Sequence, residues 1–354
     1  MGTALSKVVV IVAVALGVRI ATVRGIIGPS GYGWQHTGSD IAEDVNLSGK
    51  TVLVTGSNQG LGYETARVFL SRGAHIFAAA RSQAKAAATC TGLKDAESAN
   101  PAKGDCTPLV LDLSSFASIE AAATAFKSQG RPLNVLVNNA GVMGLPERTL
   151  TPEGFEMQMG VNHIGHFYLA QLLFADLKAG FKASGDESRV VVLSSYTAYE
   201  VSEPGFASSA NLESQAPYDA LTAYANSKFA NIVYAKEYDN RHKEHGIRAF
   251  SVHPGGIWTN IEASLSVWDL LFEYIPAVYP IIPYLKSVPQ GVATTIYCAL
   301  KAPEYEGGSY YEDSNVANLK VLAPGWYSYL SDKALRLQVW KTTENLIAGA
   351  QKQR

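Results

Sequence analysis

Tyr224 and Lys228, within the segment Tyr-Ala-Asn-Ser-Lys at 224–228, put a phenol and an ammonium four residues apart. On a helix that spacing sets the two on one face, in adjacent turns. A free tyrosine titrates near ~10 and is a poor base at neutral pH, so proton transfer through it requires a stabilised phenolate. A cation ~4 Å away contributes on the order of 4 kcal/mol at an effective dielectric of 20, an upper figure worth up to about three pK units. Such a pair can trade a proton with a carbonyl or alcohol oxygen near neutral pH.

A second constellation reads Thr-Gly-Ser-Asn-Gln-Gly-Leu-Gly at 55–62. It follows a β-branched run and precedes a helical pattern, the context in which a glycine-rich turn cradles a dinucleotide pyrophosphate. Gly56 permits the tight turn, Gly60 lets the backbone approach the phosphates, and Gly62 lets the helix pack close to the strand. Ser57, Asn58 and Leu61 complete the turn, and the helix start supplies free N–H groups and a partial positive charge. About twenty residues on, an NAD-binding chain offers an acidic group to the ribose. Here the sequence is Ala80-Arg81-Ser82. A guanidinium suits a 2′-phosphate and no carboxylate repels it, so NADP(H) is the expected cofactor. The bland alternative is an ordinary solvated arginine at a strand end.

The elements that must position these groups alternate along the chain. Short β-branched runs at 51–55, 75–79, 108–111, 135–138, 190–194, 248–252 and 308–311 are separated by helical patterns such as 61–72 and 224–245, each followed by glycine. That alternation predicts an α/β fold: a single Rossmann-type, doubly wound, parallel sheet of seven strands with helices on both faces. Of the 354 residues, 47% are hydrophobic and 17% charged, enough to bury a large core. A net charge of -2 provides no basic field for a polyanion, which argues against nucleic acid as a partner. Cys90, Cys106 and Cys298 show no metal-knuckle or redox-pair spacing and are expected to be reduced structural thiols. His163 and His166, three apart on a predicted helix, could both face a metal, but no carboxylate or cysteine cluster accompanies them, and no metal site is expected.

Residues 1–45 are expected to form an N-terminal hydrophobic segment and linker, and residues 46–354 the nucleotide-binding domain. The apolar run at 8–18 is short for a membrane span and is followed by Arg19 and Arg24. An anchor extending to residue 27, a cleaved signal and a buried helix remain alternatives, with the anchor favoured. The opening residues also fit a myristoylation pattern with Gly2 as acceptor.

Seven stretches together resemble the classical short-chain dehydrogenase/reductase family, in its retinol dehydrogenase and WW-domain oxidoreductase-like branch. They are TGSNQGLG at 55–62, LDL at 111–113, NNAG at 138–141, GVNHIGHF at 160–167, VLSS at 192–195, YANSKFAN at 224–231 and HPGGIWT at 253–259. The resemblance implies Tyr224 as general acid/base and Lys228 as the residue that lowers its pKa and bonds the nicotinamide ribose. It implies Ser195 as hydrogen-bond partner of the substrate oxygen, with Ser194 the fallback, and Asn162 as holder of a relay water. Around the cofactor it implies Asp112 and Leu113 at the adenine, Asn139, Ala140 and Gly141 on the adenosine side, and Pro254, Gly255 and Thr259 at the nicotinamide. Hydride would pass between nicotinamide and a carbonyl carbon while Tyr224 exchanges a proton with its oxygen. Phe229, the Asn58-Gln59-Gly60 loop and the long interval from Ser195 to Tyr224 depart from the common pattern and bear on subgroup.

The stretch at 265–286, rich in aromatic and aliphatic residues with three prolines, suits cover for a small lipophilic substrate such as a retinoid, steroid or fatty aldehyde, or contact with a membrane, and a segment simply packed on the core is the equal alternative. A membrane-associated protein of the endoplasmic reticulum or another organelle follows, its domain facing NADPH, with a cytoplasmic protein as the alternative. Two other functions stay open: a non-catalytic NADP(H)-binding scaffold or redox sensor, and a reductase of carbon–carbon double bonds.

Overall fold

The computed structural model describes residues 27–201, 217–257, 285–319 and 324–354. Strands β1 (Thr51–Thr55), β2 (His75–Ala80), β3 (Asp105–Val110), β4 (Val135–Asn138), β5 (Ser188–Leu193), β6 (Ile247–His253), β7 (Tyr310–Glu312) and β8 (Asn315–Val316) form one sheet in the order β3-β2-β1-β4-β5-β6-β7-β8. The first seven run parallel and β8 runs antiparallel to β7. Between β1 and β4 the order reverses direction, so a crevice opens at the carboxyl ends of these strands, where ligands of such sheets bind.

Helices cover both faces because the strands are apolar on both. Along β1, Val52 and Val54 join a core with Ala66 and Phe69 of helix α1 (Gly60–Ser71) and Leu93 of helix α2 (Gln83–Ala96). Leu53 points the other way, into a core with Phe126 of helix α3 (Phe116–Ser128), Phe167 of helix α4 (Gly165–Leu172), Leu177 of helix α5 (Phe174–Ser184) and Val233 of helix α6 (Ala220–His242). Helix α7 (Ala293–Leu300) lies on the first face. The pair α8 (Pro324–Ser331) and α9 (Lys333–Gln353) closes the second, where Trp340 packs its ring against Phe167 at 4.6 Å.

Several elements differ from the sequence reading. Among the described residues the sheet has eight strands instead of seven, because Asp313 and Ser314 both adopt positive φ (49° and 63°) and turn the chain back into a short hairpin. Strand β3 runs through Pro108 and begins earlier than the proline suggested. It is an edge strand paired only with β2, so the missing N–H breaks no ladder on the far side. Helix α6 starts at Ala220, four residues before Tyr224, because the Asp219 carboxylate caps it by accepting from Thr222 N at 2.7 Å.

The expectation of three reduced cysteines is overturned. Cys90 of α2 and Cys106 of β3 form a disulfide, and only Cys298 is a free, buried thiol. Sixteen residues separate the pair, a spacing that fits no short redox motif, and it is the packing of α2 on the sheet edge that brings the sulfurs together. The segment before β1 is tied to the domain. Ser30 N donates to Asn315 Oδ1 at 3.0 Å, Asn315 Nδ2 donates to the Tyr32 carbonyl at 3.0 Å, and Ile41 and Ala42 are fully buried. Among the described residues no helix is long and apolar enough to cross a membrane. The segment at 8–26 and most of that at 265–286 lie outside the described residues.

Candidate active site

The glycine turn closes over the end of β1. Gly56 (φ 64°) sits where a Cβ would meet Ala140 at 3.0 Å, and Gly62 where a Cβ would meet the Gly56 carbonyl oxygen at 2.3 Å, so helix and strand could not approach with side chains there. Gly60 (φ 55°) has no atom within 4 Å of where its Cβ would stand. Left-handed backbone next to open space is what a phosphate approaching main-chain N–H groups requires. Helix α1 begins there with no side-chain cap on its first amides, which leaves them available to an anion. Asn58 and Leu61 are part-exposed at the same turn, whereas Ser57 is buried with its hydroxyl bonded to the Ala79 carbonyl at 3.2 Å. Ser57 therefore fixes the turn to β2 through its side chain.

Thr55 ties this turn to the end of β4. Its Oγ1 accepts from the main-chain N–H of Asn139 and of Ala140, each at 2.9 Å, while Asn139 Nδ2 donates to the Thr55 carbonyl at 2.7 Å. Behind it lies His166, fully buried and held neutral by burial, which pushes its pKa down to about 3. Its Nδ1 is 3.0 Å from the Asn162 carbonyl, which can only accept, so Nδ1 carries the proton and Nε2 accepts from the Thr55 hydroxyl at 2.8 Å. His163 has separate partners, Asn231 Oδ1 at 3.3 Å and Thr343 Oγ1 at 3.1 Å, so the two histidines do not converge. Among the described residues no cluster of metal-ligating side chains occurs.

On the adenosine side, Arg81 follows β2 in the open and makes no hydrogen bond or ion pair among the described residues; no carboxylate occupies the strand end. Ser82 caps α2, accepting from Lys85 N at 3.3 Å. Asp112 folds back on its own loop, Oδ1 accepting from Ser114 N at 2.9 Å and Ser114 Oγ at 2.7 Å, and Leu113 is buried in the core. Gly141 is part-exposed beyond Asn139.

Helix α6 carries Tyr224, Ser227 and Lys228, and its side chains bond the end of β5. Lys228 is 3% exposed, donates from Nζ to the Leu193 carbonyl at 3.2 Å, and lies 5.5 Å from the centre of the Tyr224 ring. Burial draws its pKa down to about 8. Ser194 and Ser195 part ways at the end of β5. The Ser194 hydroxyl donates to the Lys228 carbonyl at 2.7 Å, whereas Ser195 Oγ accepts from Thr197 N at 3.3 Å and its own proton has no acceptor among the described residues.

Asn162 does something other than present a polar group. Its Oδ1 accepts from Val142 N at 2.8 Å, and its Nδ2 donates to the Val142 carbonyl and to Ser227 Oγ, both at 2.9 Å. Both amide protons and one lone pair of Oδ1 are committed to Val142 and Ser227, so the side chain acts as a tie, while the main-chain carbonyl accepts from His166 Nδ1. It sits in a π turn (Gly160–Ile164), a device common at functional sites. Beyond β6, Gly255 (φ 94°) lies where a Cβ would meet Lys286 Cδ at 2.6 Å. Pro254 beside it is part-exposed, and Thr259 lies outside the described residues.

A family model described as short chain dehydrogenase matches residues 50–269. The chain belongs to the short-chain dehydrogenase family. Within it, this dehydrogenase is 37% identical to the WW domain-containing oxidoreductase of Gallus gallus over 80% of its own length and 66% of that protein's, a little under two thirds of the relative. It is 34% identical to retinol dehydrogenase 11 of Mus musculus over 86% of this chain and 88% of that one. The fold is also that of a gluconate 5-dehydrogenase from Burkholderia cenocepacia solved with NADP and tartrate, at a TM-score of 0.55 and 23% identity, covering 75% of this chain and 94% of that one. The chain thus falls in the retinol dehydrogenase and WW-domain oxidoreductase-like branch of a family whose members bind nicotinamide cofactors.

Four residues of this short-chain dehydrogenase's site carried no role in the sequence reading. Thr55 and His166 stood inside quoted motifs without a partner to give them one. His253, kept neutral by burial at a pKa of about 3, lies edge-on to Tyr196 at 5.5 Å. Lys286, 5% exposed, pairs with Asp313 at 2.5 Å. Nothing local in the sequence joins residues so far apart.

Proposed function

We propose that this short-chain dehydrogenase interconverts a carbonyl and an alcohol on a lipophilic substrate, with NADP(H) as its cofactor. The observation that carries the reading is the buried Lys228 ammonium, 5.5 Å from the Tyr224 ring on the adjacent turn of one helix. Taken to the ring centre, that separation corresponds to about 3 kcal/mol of phenolate stabilisation at an effective dielectric of 20, an upper figure. With its pKa near 8, Lys228 keeps most of its charge at pH 7. Tyr224 then gives a proton to the substrate oxygen in reduction and takes it back in oxidation. Ser195, whose proton has no acceptor among the described residues, donates to the same oxygen as its negative charge develops.

When bound, the nicotinamide supplies or accepts the hydride. The first turn of α1 and Gly60 would hold its pyrophosphate, and Arg81 the 2′-phosphate, since that guanidinium is open and no carboxylate among the described residues competes for it. Asn162 would hold a relay water by its main-chain carbonyl, and Lys228 would bond the ribose. An apolar substrate is favoured by Tyr196 and Leu221, large hydrophobics left 41% and 38% exposed, one just past Ser195 and the other one turn before Tyr224. The name of retinol dehydrogenase 11 points to a retinoid as the first compound to try. The test is NADPH oxidation with all-trans-retinal and decanal. Tyr224→Phe should lower turnover about 10³-fold while NADPH still binds. Turnover that survives this change at near wild-type rate would remove Tyr224 from the chemistry.

A further inference from the structure

Ser195 is only as well placed as the turn that follows it. That turn is a single 3-10 segment (Tyr196–Glu200) whose N-cap is Ser195, with Ala198 N returning to the Ser195 carbonyl at 3.2 Å. Ala198 is fully buried in the second core, and four residues after Ser195 the Tyr199 side chain leaves the turn toward the far edge of the sheet. There its hydroxyl donates to Glu312 Oε1 at 2.6 Å, across 113 positions of sequence. Glu312 is the last residue of β7 and stands in register with His253 at the end of β6. Tyr310, two residues earlier on the same face, sets its ring edge-on to Tyr199 at 6.1 Å.

A carboxylate is an expensive group to bury, and burial raises the pKa of Glu312 even with Lys286 nearby. Packing alone would be served as well by an apolar side chain at that position. What the short, charge-assisted bond adds is direction, because a 2.6 Å hydrogen bond fixes where the turn ends. We propose that Glu312 is a positioning residue: through Tyr199 it anchors the turn that presents Ser195 to the substrate oxygen. Lys286, bonded to the neighbouring Asp313, steadies the strand end from the other side. This inference rests on the role given to Ser195 above.

A double-mutant cycle on the full chain tests it, with NADPH oxidation in the presence of all-trans-retinal or decanal as readout. Tyr199→Phe, which removes one hydroxyl, should lower kcat about 10-fold with little change in NADPH affinity, since a displacement of the order of 1 Å at a reacting group is costly. Glu312→Leu should do the same, while Glu312→Gln, which keeps an acceptor for Tyr199, should restore most of the rate. In a Ser195→Ala background, Tyr199→Phe should have almost no further effect, because the group it positions is gone. Equal losses in both backgrounds, or a kcat unchanged by Tyr199→Phe, would overturn the positioning role while leaving the reaction intact. A kcat unchanged by Ser195→Ala would defeat the role of Ser195 and this inference with it. Independently of any substrate, amide exchange at 195–201 should quicken in Tyr199→Phe and stay unchanged in β1–β4; no change at 195–201 also refutes the anchor.

Discussion

The nucleotide half of the molecule, β1 to β4 with α1 to α3, and the substrate half, β5 to β8 with α6, are held together in different ways. In the first, apart from the Thr55–His166 bond, the features that matter act within one strand-turn-helix unit or between neighbouring elements: three glycines, an uncapped helix start, the Ser57 and Asn139 ties, and one disulfide. In the second, they are side-chain bonds between distant segments, such as Tyr199 to Glu312 and Lys286 to Asp313. A backbone cradle for phosphate tolerates little variation in sequence, whereas a cavity for substrate is shaped by side chains that can be exchanged one at a time. Changes in the first half should therefore alter cofactor affinity or stability, and changes in the second should alter turnover.

The largest effect that would sharpen this contrast is on stability. Replacing Cys90 and Cys106 together by serine removes a cross-link spanning 16 residues and should cost about 3 kcal/mol by loop-closure entropy, with turnover per folded molecule unchanged. Denaturant unfolding of the oxidised protein and the double variant measures it. An equal loss of turnover would show that the two halves are not separable. Next in size, Arg81→Ala should weaken NADPH binding by about 10- to 100-fold, the worth of a charge-assisted phosphate contact, and NADH binding scarcely at all. Titration with both cofactors decides the point; parallel losses would deny the arginine a 2′-phosphate.

The smallest expected effect concerns pH and belongs to the substrate half. Burial depresses the Lys228 pKa, so its charge is present below about 8 and is lost as pH rises through that value. If the charge supports Tyr224, kcat/KM should fall about tenfold per unit on the alkaline side. In Lys228→Arg that limb should move upward, because a guanidinium keeps its proton. A profile flat to pH 10 in the parent protein would contradict the coupling.

The same division explains what could be read in the chain beforehand. The glycine turn, the order of strands and helices, and the Tyr224–Lys228 spacing are short-range patterns, and each appears where periodicity and motif placed it. The β7–β8 hairpin was missed because its turn, Asp313-Ser314, lacks the glycine that usually marks positive φ. The start of β3 was misplaced because Pro108 reads as a break, and only the sheet order shows it to lie on an edge. The disulfide went unseen because two cysteines sixteen positions apart carry no signal until a helix folds back on its neighbouring strand. Asn162 was found for its place in a motif, yet its side chain proved to be a tie, which depends on Val142 and Ser227 arriving from two other segments.

The π turn at Gly160–Ile164 gives these halves a common gauge. From Thr55 at the glycine turn, hydrogen bonds run through His166 to Asn162 and on to Ser227, one residue from Lys228. The wide turn contains one residue more than an α-helix would use to cover the same arc. Deleting that residue would make the helix more regular, yet would rotate everything beyond it by about 100°. His166 would swing away from Thr55 while Asn162 stayed with Ser227. The irregular loop of helix thus acts as a spacer of fixed gauge, setting how the phosphate cradle and the proton-transferring helix are aligned.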